Sequence, residues 1–242
     1  MRATHQRLYI NVDHIATVRE ARRTDEPEPA AAVPLIERAG ADGITAHLRE
    51  DRRHIHDRDV EAILQVTKKV FNLEMALTEE MLALATRIRP YQVTLVPERR
   101  EEITTEGGLD VTREPDRLAQ GIDRLKRAGV RASLFIDPDT AAVERSKELG
   151  ADAIEMHTGR YAHAPSSPDT IEALRRGAQR GAELGLAIHA GHGLTVRNVR
   201  AVAAIPEIEE LNIGHSIVSR SIFVGIEAAV REMRGVMDAA RR

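Results

Sequence analysis

The chain has 242 residues, room for one large domain or two small ones, and a single barrel of about 250 residues is an ordinary size. Lysine plus arginine (35) nearly balance aspartate plus glutamate (38), so a net charge of -3 gives no reason to expect nucleic acid or an anionic membrane as partner. Cysteine is absent, aromatics are 2%, and there is neither a signal-like leader nor an apolar run near twenty residues; disulfide frames and thiolate metal sites are excluded, base-stacking platforms are not expected, and a soluble cytoplasmic protein is expected.

Apolar, β-rich runs alternate with helix-like runs. The spacing predicts a strand over 8–12, a helix over 30–39, a strand over 43–47 and a helix over 58–66. Next come a strand over 70–74, a helix over 79–88, a strand over 92–96 and a helix over 116–128. The second half repeats the alternation: strand 131–136, helix 141–149, strand 153–157, helix 169–184. It closes with strand 186–190, helix 196–205, strand 210–213 and a long helix over 217–240. Alternation of this kind means parallel strands joined by right-handed crossovers.

The junctions agree. Four helices run into glycine stops, at Gly40, Gly129, Gly150 and Gly185, and glycine takes the left-handed conformation after a helix without a side-chain clash. Asp57, Thr78, Asp139 and Thr195 stand where helix N-caps belong. Eight strand–helix units match a closed (β/α)8 TIM barrel with extra helices, spanning 1–242 as one domain without an internal linker. An open doubly wound sheet is the rival, disfavoured because no Gly-x-Gly-x-x-Gly follows the first strand. The likeness of Ala39-Gly40-Ala41-Asp42 to Leu149-Gly150-Ala151-Asp152 is read as a shared helix-to-strand turn and not as a repeat.

Polar residues gather where the strands end. Asn11, Asp13, His14, Arg19 and Arg22 follow the first strand. His47, Arg49 and His54 follow the second, in a loop dense with charge, and Glu74 ends the third. A long polar segment from Pro97 to Gly108 follows the fourth. Glu155 and His157 end the sixth, His189 and His192 the seventh, and Asn212 and His215 the eighth. About six of the ten histidines lie at these ends, where a barrel assembles its active site. Each has a structural reading as well. Asn11 and Asp13 suit a turn, Glu74 a buried ion pair, His189 a barrel-facing core position, and the charged loop a solvated salt-bridge network. The groups Gly191-His192-Gly193 and Gly214-His215-Ser216 each open a helix, the arrangement in which backbone amides hold phosphate. A metal-dependent barrel hydrolase is disfavoured because Asn11-Val12-Asp13-His14 stands where His-x-His would. A non-catalytic phosphometabolite-binding barrel would not require Glu74 or opposed histidines.

The ordered set of motifs resembles the pyridoxine 5'-phosphate synthase family of vitamin B6 biosynthesis. It comprises residues 11–22 (NVDHIATVREAR), 39–55 (AGADGITAHLREDRRHI), 72–76 (NLEMA), 95–98 (LVPE) and 104–111 (TTEGGLDV). Residues 133–137 (SLFID), 157–159 (HTG), 190–195 (AGHGLT) and 211–215 (LNIGH) complete it. Single pieces are weak, but together they span nearly the whole chain.

The resemblance implies a (β/α)8 barrel, commonly a homo-octamer, that condenses 3-amino-2-oxopropyl phosphate with 1-deoxy-D-xylulose 5-phosphate. It implies neither cofactor nor metal. Position by position, it implies acid–base roles for His47, Glu74 and His192. Asn11, Arg22, Gly193, Gly214 and His215 fall at the aminoketone-phosphate site, and Asp13, His14, Arg49, His54 and Thr104 at the sugar-phosphate site. The polar segment from Pro97 to Val111 suits a lid over reactive intermediates.

Overall fold

In the computed structural model, which describes residues 5–98 and 107–242, eight strands alternate with helices and close into a barrel. The first half runs β1 (Arg7–Asn11), α1 (Asp13–Glu20), α2 (Pro29–Arg38), β2 (Gly43–His47), α3 (Asp57–Val66), β3 (Val70–Met75), α4 (Glu79–Ile88) and β4 (Gln92–Leu95). The second half runs α5 (Pro115–Arg127), β5 (Arg131–Ile136), α6 (Thr140–Glu148), β6 (Ala153–His157), α7 (Gly159–His163), α8 (Pro168–Glu183), β7 (Ala187–Gly191), α9 (Val199–Ala203), β8 (Glu210–Ile213), α10 (His215–Val224) and α11 (Ile226–Ala240). Every strand is parallel to its sequence neighbours, and β1 pairs with β8.

All four glycine stops close their helices in one way. Gly40, Gly129, Gly150 and Gly185 have φ of 105°, 80°, 88° and 74°. In each case the residue after the glycine donates its N–H back to the helix: Ala41 to Ile36, Val130 to Leu125, Ala151 to Ser146 and Leu186 to Gly181. This double turn satisfies carbonyls that the helix end leaves open. In the two Gly-Ala-Asp turns the aspartate then joins helix end to barrel. Asp42 Oδ2 accepts the N–H of Leu8 on β1 at 2.9 Å, and Asp152 Oδ2 accepts that of Ala132 on β5 at 3.1 Å.

Thr78 and Asp139 cap α4 and α6 through side-chain oxygens, as their positions suggest. Asp57 is instead the first residue of α3; His56 is the cap, with Asp59 bonded back to its N–H at 2.8 Å. Residue 195 opens a turn, and α9 starts only at Val199, later than the pattern implied. The long last helix is broken by Gly225 (φ 81°) into α10 and α11. Helices α1 and α7, unforeseen in the sequence, are short pieces directly after strand ends. Helix α11 covers the start of β1, where Arg234 Nη1 donates to the carbonyl of Gln6 at 2.8 Å and contacts Asp42 at 3.2 Å.

Strand alternation sends Ile10, Ile44, Leu73, Val93, Leu134, Ile154, Ile188 and Leu211 outward, where they are buried beneath the helices. The opposite face fills the barrel interior with polar side chains. Thr45 Oγ1 donates to Asn212 Oδ1 at 2.7 Å, Thr94 Oγ1 to Asn72 Oδ1 at 2.9 Å, and Gln92 Nε2 to the same Asn72 oxygen at 3.2 Å. Barrel interiors are usually packed with branched apolar residues. Here a hydrogen-bonded floor lies beneath the carboxyl ends of the strands. Among the described residues no helix is long and apolar enough to cross a membrane.

Candidate active site

Above that floor, at the carboxyl ends of the strands, lies a cavity of about 660 Å³. That is a typical size for a small-molecule site. Its wall includes Asn11, Asp13, His14, His47, Arg49, His54, Glu74, His192, Gly193, Gly214 and His215. These are all the sequence candidates but two. Arg22 is exposed in the turn after α1 and is not part of the wall. Thr104 lies outside the described residues, as does most of the polar segment expected to form a lid.

Register builds the acid–base group. His47 and Glu74 are paired neighbours at the ends of β2 and β3. Asp13, the first residue of α1, accepts the backbone N–H of His47 at 2.8 Å and the Asn11 side-chain amide at 2.9 Å. The same Asn11 amide lies 3.5 Å from Glu74 Oε2. Glu98, just after β4, faces His47 Nε2 at 2.9 Å through Oε1 and accepts the backbone N–H of Glu50 at 3.0 Å through Oε2.

Burial sets the proton affinities. It pushes the Glu74 carboxyl up to about 7, against the pull of the His47 charge, with repulsion from Asp13 adding to it. Burial disfavours a charged His47, but the carboxylates of Glu98, Glu74 and Asp13 together outweigh it and raise the imidazole above its ordinary value. Burial likewise opposes a charged Glu98, yet its bond to His47 holds it below the usual carboxylate range. A carboxyl raised to about 7 beside an imidazole whose proton affinity is also raised forms a pair in which each group can give or take a proton.

The opposite wall is formed by β6 and β7. Gly191 is required where it stands: a Cβ there would meet Glu155 Oε1 at 2.4 Å and the Asn212 carbonyl at 2.8 Å. The chain then turns through His192 in the left-handed region (φ 83°) and Gly193 (φ 76°). This turn puts the His192 ring 4.8 Å from that of His157, whose Nδ1 is 3.2 Å from Asp137 Oδ1. Burial, with repulsion from neighbouring histidines, lowers His192 to about 4, so it is neutral at pH 7. Glu155, also on the wall, is pushed well above the ordinary carboxyl range by burial and by repulsion from Glu74 and Glu210. Its Oε2 accepts the Asn212 amide at 2.8 Å.

Groups whose chemistry suits anions surround this centre. Arg49 is 3% exposed, and its Nε lies 3.3 Å from Asp51. His54 accepts the N–H of Ile55 on Nδ1 at 2.8 Å, and burial lowers its proton affinity. The N-cap of helix α10 is Gly214, which has no side chain to cap the first amides. A Cβ at 214 would come within 2.9 Å of the Asn11 Cβ, so glycine is needed there for the close approach of β8 and β1. His14 and His215 meet edge to face at 4.9 Å beside that helix start. Asp13, His47 and Glu74 also bring ligand atoms within 4.8 Å of one another, a set that suits a divalent cation as well as proton transfer.

Glu155 and Asn212 on the wall, and Glu98 beside it, are among the residues with no role assigned from sequence. Glu155 carries the same signal as Glu74, a carboxylate inside an apolar strand. Asn212 falls in the eighth strand-end motif. Glu98 follows an irregular exit from β4, and no periodicity points it at His47.

Comparison with known proteins finds relatives over nearly the whole chain. The family described as "Pyridoxal phosphate biosynthesis protein PdxJ" matches residues 8–239. A pyridoxine 5'-phosphate synthase from Cyanothece sp. is 57% identical over 231 residues, covering 94% of this chain and 96% of that protein. One from Syntrophotalea carbinolica is 55% identical over 236 residues, covering 96% and 99%. Among solved structures, phosphoribosyl anthranilate isomerase from Thermus thermophilus aligns with a TM-score of 0.61 at 17% identity, covering 96% of this chain and 98% of that one. The BexX/CysO complex from Amycolatopsis orientalis aligns at 0.63 and 15% identity, over 98% and 89%. At such identities these two structures speak to the barrel fold alone.

Proposed function

Because the chain belongs to the family of pyridoxine 5'-phosphate synthases, enzymes of vitamin B6 biosynthesis, we propose that it condenses 3-amino-2-oxopropyl phosphate with 1-deoxy-D-xylulose 5-phosphate and closes the pyridine ring. The observation that carries this reading is the pairing of His47, its proton affinity raised by nearby carboxylates, with Glu74, raised to about 7, on the wall of one cavity with His192. Imine formation, dehydration, loss of phosphate and aromatisation each move protons. A site for them needs several groups that titrate near pH 7 and approach from different sides.

In this mechanism the amine of the aminoketone attacks the ketone of the sugar phosphate. Neutral His192 takes or returns protons on the β7 side. Glu74 abstracts protons from carbon and passes them on, and the His47 imidazolium stabilises and protonates departing oxygen. Asp13 keeps His47 in place through its backbone N–H and Asn11 through its amide. Arg49 and His54 hold the sugar phosphate together with Asp13 and His14. The amides at Gly193, Gly214 and His215, with Asn11, hold the aminoketone phosphate. Arg22 and Thr104 belong to the same proposal, at the aminoketone and sugar-phosphate sites respectively. Two phosphate handles let binding energy orient the reacting carbons.

The deciding experiment is incubation of the purified protein with both substrates and detection of pyridoxine 5'-phosphate. No product would end the proposal. Stoichiometric metal in active protein would instead favour a metal-assisted reaction at Asp13, His47 and Glu74. The reading also includes a cytoplasmic homo-octamer. Ile222 and Phe223 on α10, 72% and 79% exposed, are apolar surface that a monomer leaves in water. Light scattering at one chain mass, 26.8 kDa, would refute the assembly.

A further inference from the structure

Among the described residues Glu98 is the carboxylate hydrogen-bonded to the His47 ring, and it reaches there from a different loop. Its two oxygens are committed in two directions. Oε1 meets His47 Nε2 at 2.9 Å, and Oε2 accepts the Glu50 N–H at 3.0 Å. The side chain is 5% exposed and that of His47 is 7% exposed, so the pair is shielded from water. One short side chain therefore ties the exit of β4 to the loop after β2 and fixes the ring between them. A carboxylate can only accept, so the nitrogen it meets carries the proton. The neutral ring is then held as the Nε2–H tautomer, with its lone pair on Nδ1.

We propose that Glu98 is a positioning residue for acid–base catalysis: held by the Glu50 amide, it orients the His47 ring, selects its tautomer and supports its charged form. The inference rests on the functional reading above and deepens it. Among the described residues the other groups that face His47 are Glu74 on β3, Asp13 at the start of α1 and His54 in the loop after β2, whose ring centroid is 6.2 Å away. Glu74 and Asp13 help to raise its proton affinity, but their contacts are with the charge and the backbone. Only Glu98 among them has a hydrogen bond to the ring given by the structure.

Glu98→Gln separates shape from charge. An amide has one accepting oxygen and one donating nitrogen. If the oxygen keeps the Glu50 N–H, the nitrogen faces His47 Nε2 and forces the other tautomer. If the oxygen keeps Nε2–H, the amide nitrogen points at the Glu50 N–H. Either outcome disturbs the ring without opening a cavity.

The test begins with wild-type protein and both substrates. Failure to form pyridoxine 5'-phosphate there defeats the functional reading and not this inference, because the His47 titration by NMR needs no substrate. In the free protein, Glu98→Gln should move the His47 midpoint down by about one pH unit, and the matching limb of the kcat/KM profile should follow. The turnover number should fall about 10- to 100-fold with both KM values within about threefold. Glu98→Asp, which keeps the charge on a shorter stem, should restore part of the His47 midpoint. Unchanged His47 titration and turnover in Glu98→Gln, with thermal melting as in wild type, would overturn the proposal. Equal losses in the Asp and Gln variants, with His47 titrating as in wild type, would also overturn it.

Discussion

Two histidine–glutamate neighbours in this barrel have opposite characters. His47 and Glu74 stand at the cavity; His189 and Glu210 lie deeper in the barrel, 0% and 1% exposed. Burial pushes both glutamates up to about 7. The histidines diverge. His47 is ringed by the carboxylates of Glu98, Glu74 and Asp13, which raise it despite burial. His189 is driven well below its ordinary value by burial and by the cations Arg131 and Arg7. Its Nδ1 is 3.2 Å from Glu210 Oε1, yet the aim is poor enough that neither ring nitrogen has a hydrogen bond among the described residues. Depth alone makes a group hard to charge; the sign of its neighbours decides whether it then becomes reactive or inert.

The sharpest way to break this contrast is at Glu74. Glu74→Gln keeps shape and burial and removes the proton acceptor, so kcat should fall about 10²- to 10⁴-fold in the two-substrate assay. Near-normal turnover would sink its role. Arg49→Ala comes next: loss of a charge-assisted phosphate contact should raise KM for the sugar phosphate about tenfold or more, with the aminoketone KM much less affected. Equal effects on both substrates would mean that the two phosphate sites have been divided wrongly.

The deeper pair should register in stability and hardly at all in rate. Glu210 has a folded-state value raised from 4.5 to about 7. Between those pH values the unfolded chain ionises first, so this contribution to stability is present at low pH and is lost as pH rises through 7. Glu210→Gln should remove a stability decrease on the order of 3 kcal/mol between pH 4.5 and 8, read by urea titration, with kcat within about threefold. An activity loss as large as that of Glu74→Gln would erase the distinction between the pairs. His189 works in the opposite direction, because its folded value lies below the ordinary 6.5. Its contribution is present above that value and is lost as pH falls. His189→Leu should therefore lessen the loss of stability as pH falls below 6.5. Identical urea midpoints across pH 5 to 7.5 in the variant and wild type would contradict it.

Much of the fold was legible because local rules and tertiary structure agree. The glycines at 40, 129, 150 and 185 mark helix ends whatever the fold, since only the left-handed conformation satisfies the last carbonyls. Alternation along each strand told which residues share a face, and it already set Glu74 apart as a carboxylate on an apolar strand. It could not foresee α1, because a short charged helix right after a strand lacks a long apolar stripe. Nor could it distinguish Arg19 from Arg22. The first is wholly buried, bonded to both oxygens of Asp59 at 2.7 and 2.8 Å; the second is exposed.

Sequence by itself determined the strand–helix alternation, the helix stops and the residue types gathered at the strand ends. Tertiary structure alone decided which of them meet. Barrel closure brings β1 beside β8, and register sets His47 opposite Glu74. An irregular exit from β4 carries Glu98 to a ring 51 positions earlier in the chain. Proton affinity depends on distance, burial and the sign of nearby charge, and none of these is a property of spacing along the chain. His47 and His189 are the same residue type at strand positions in one barrel, and only their surroundings raise the proton affinity of one and depress that of the other.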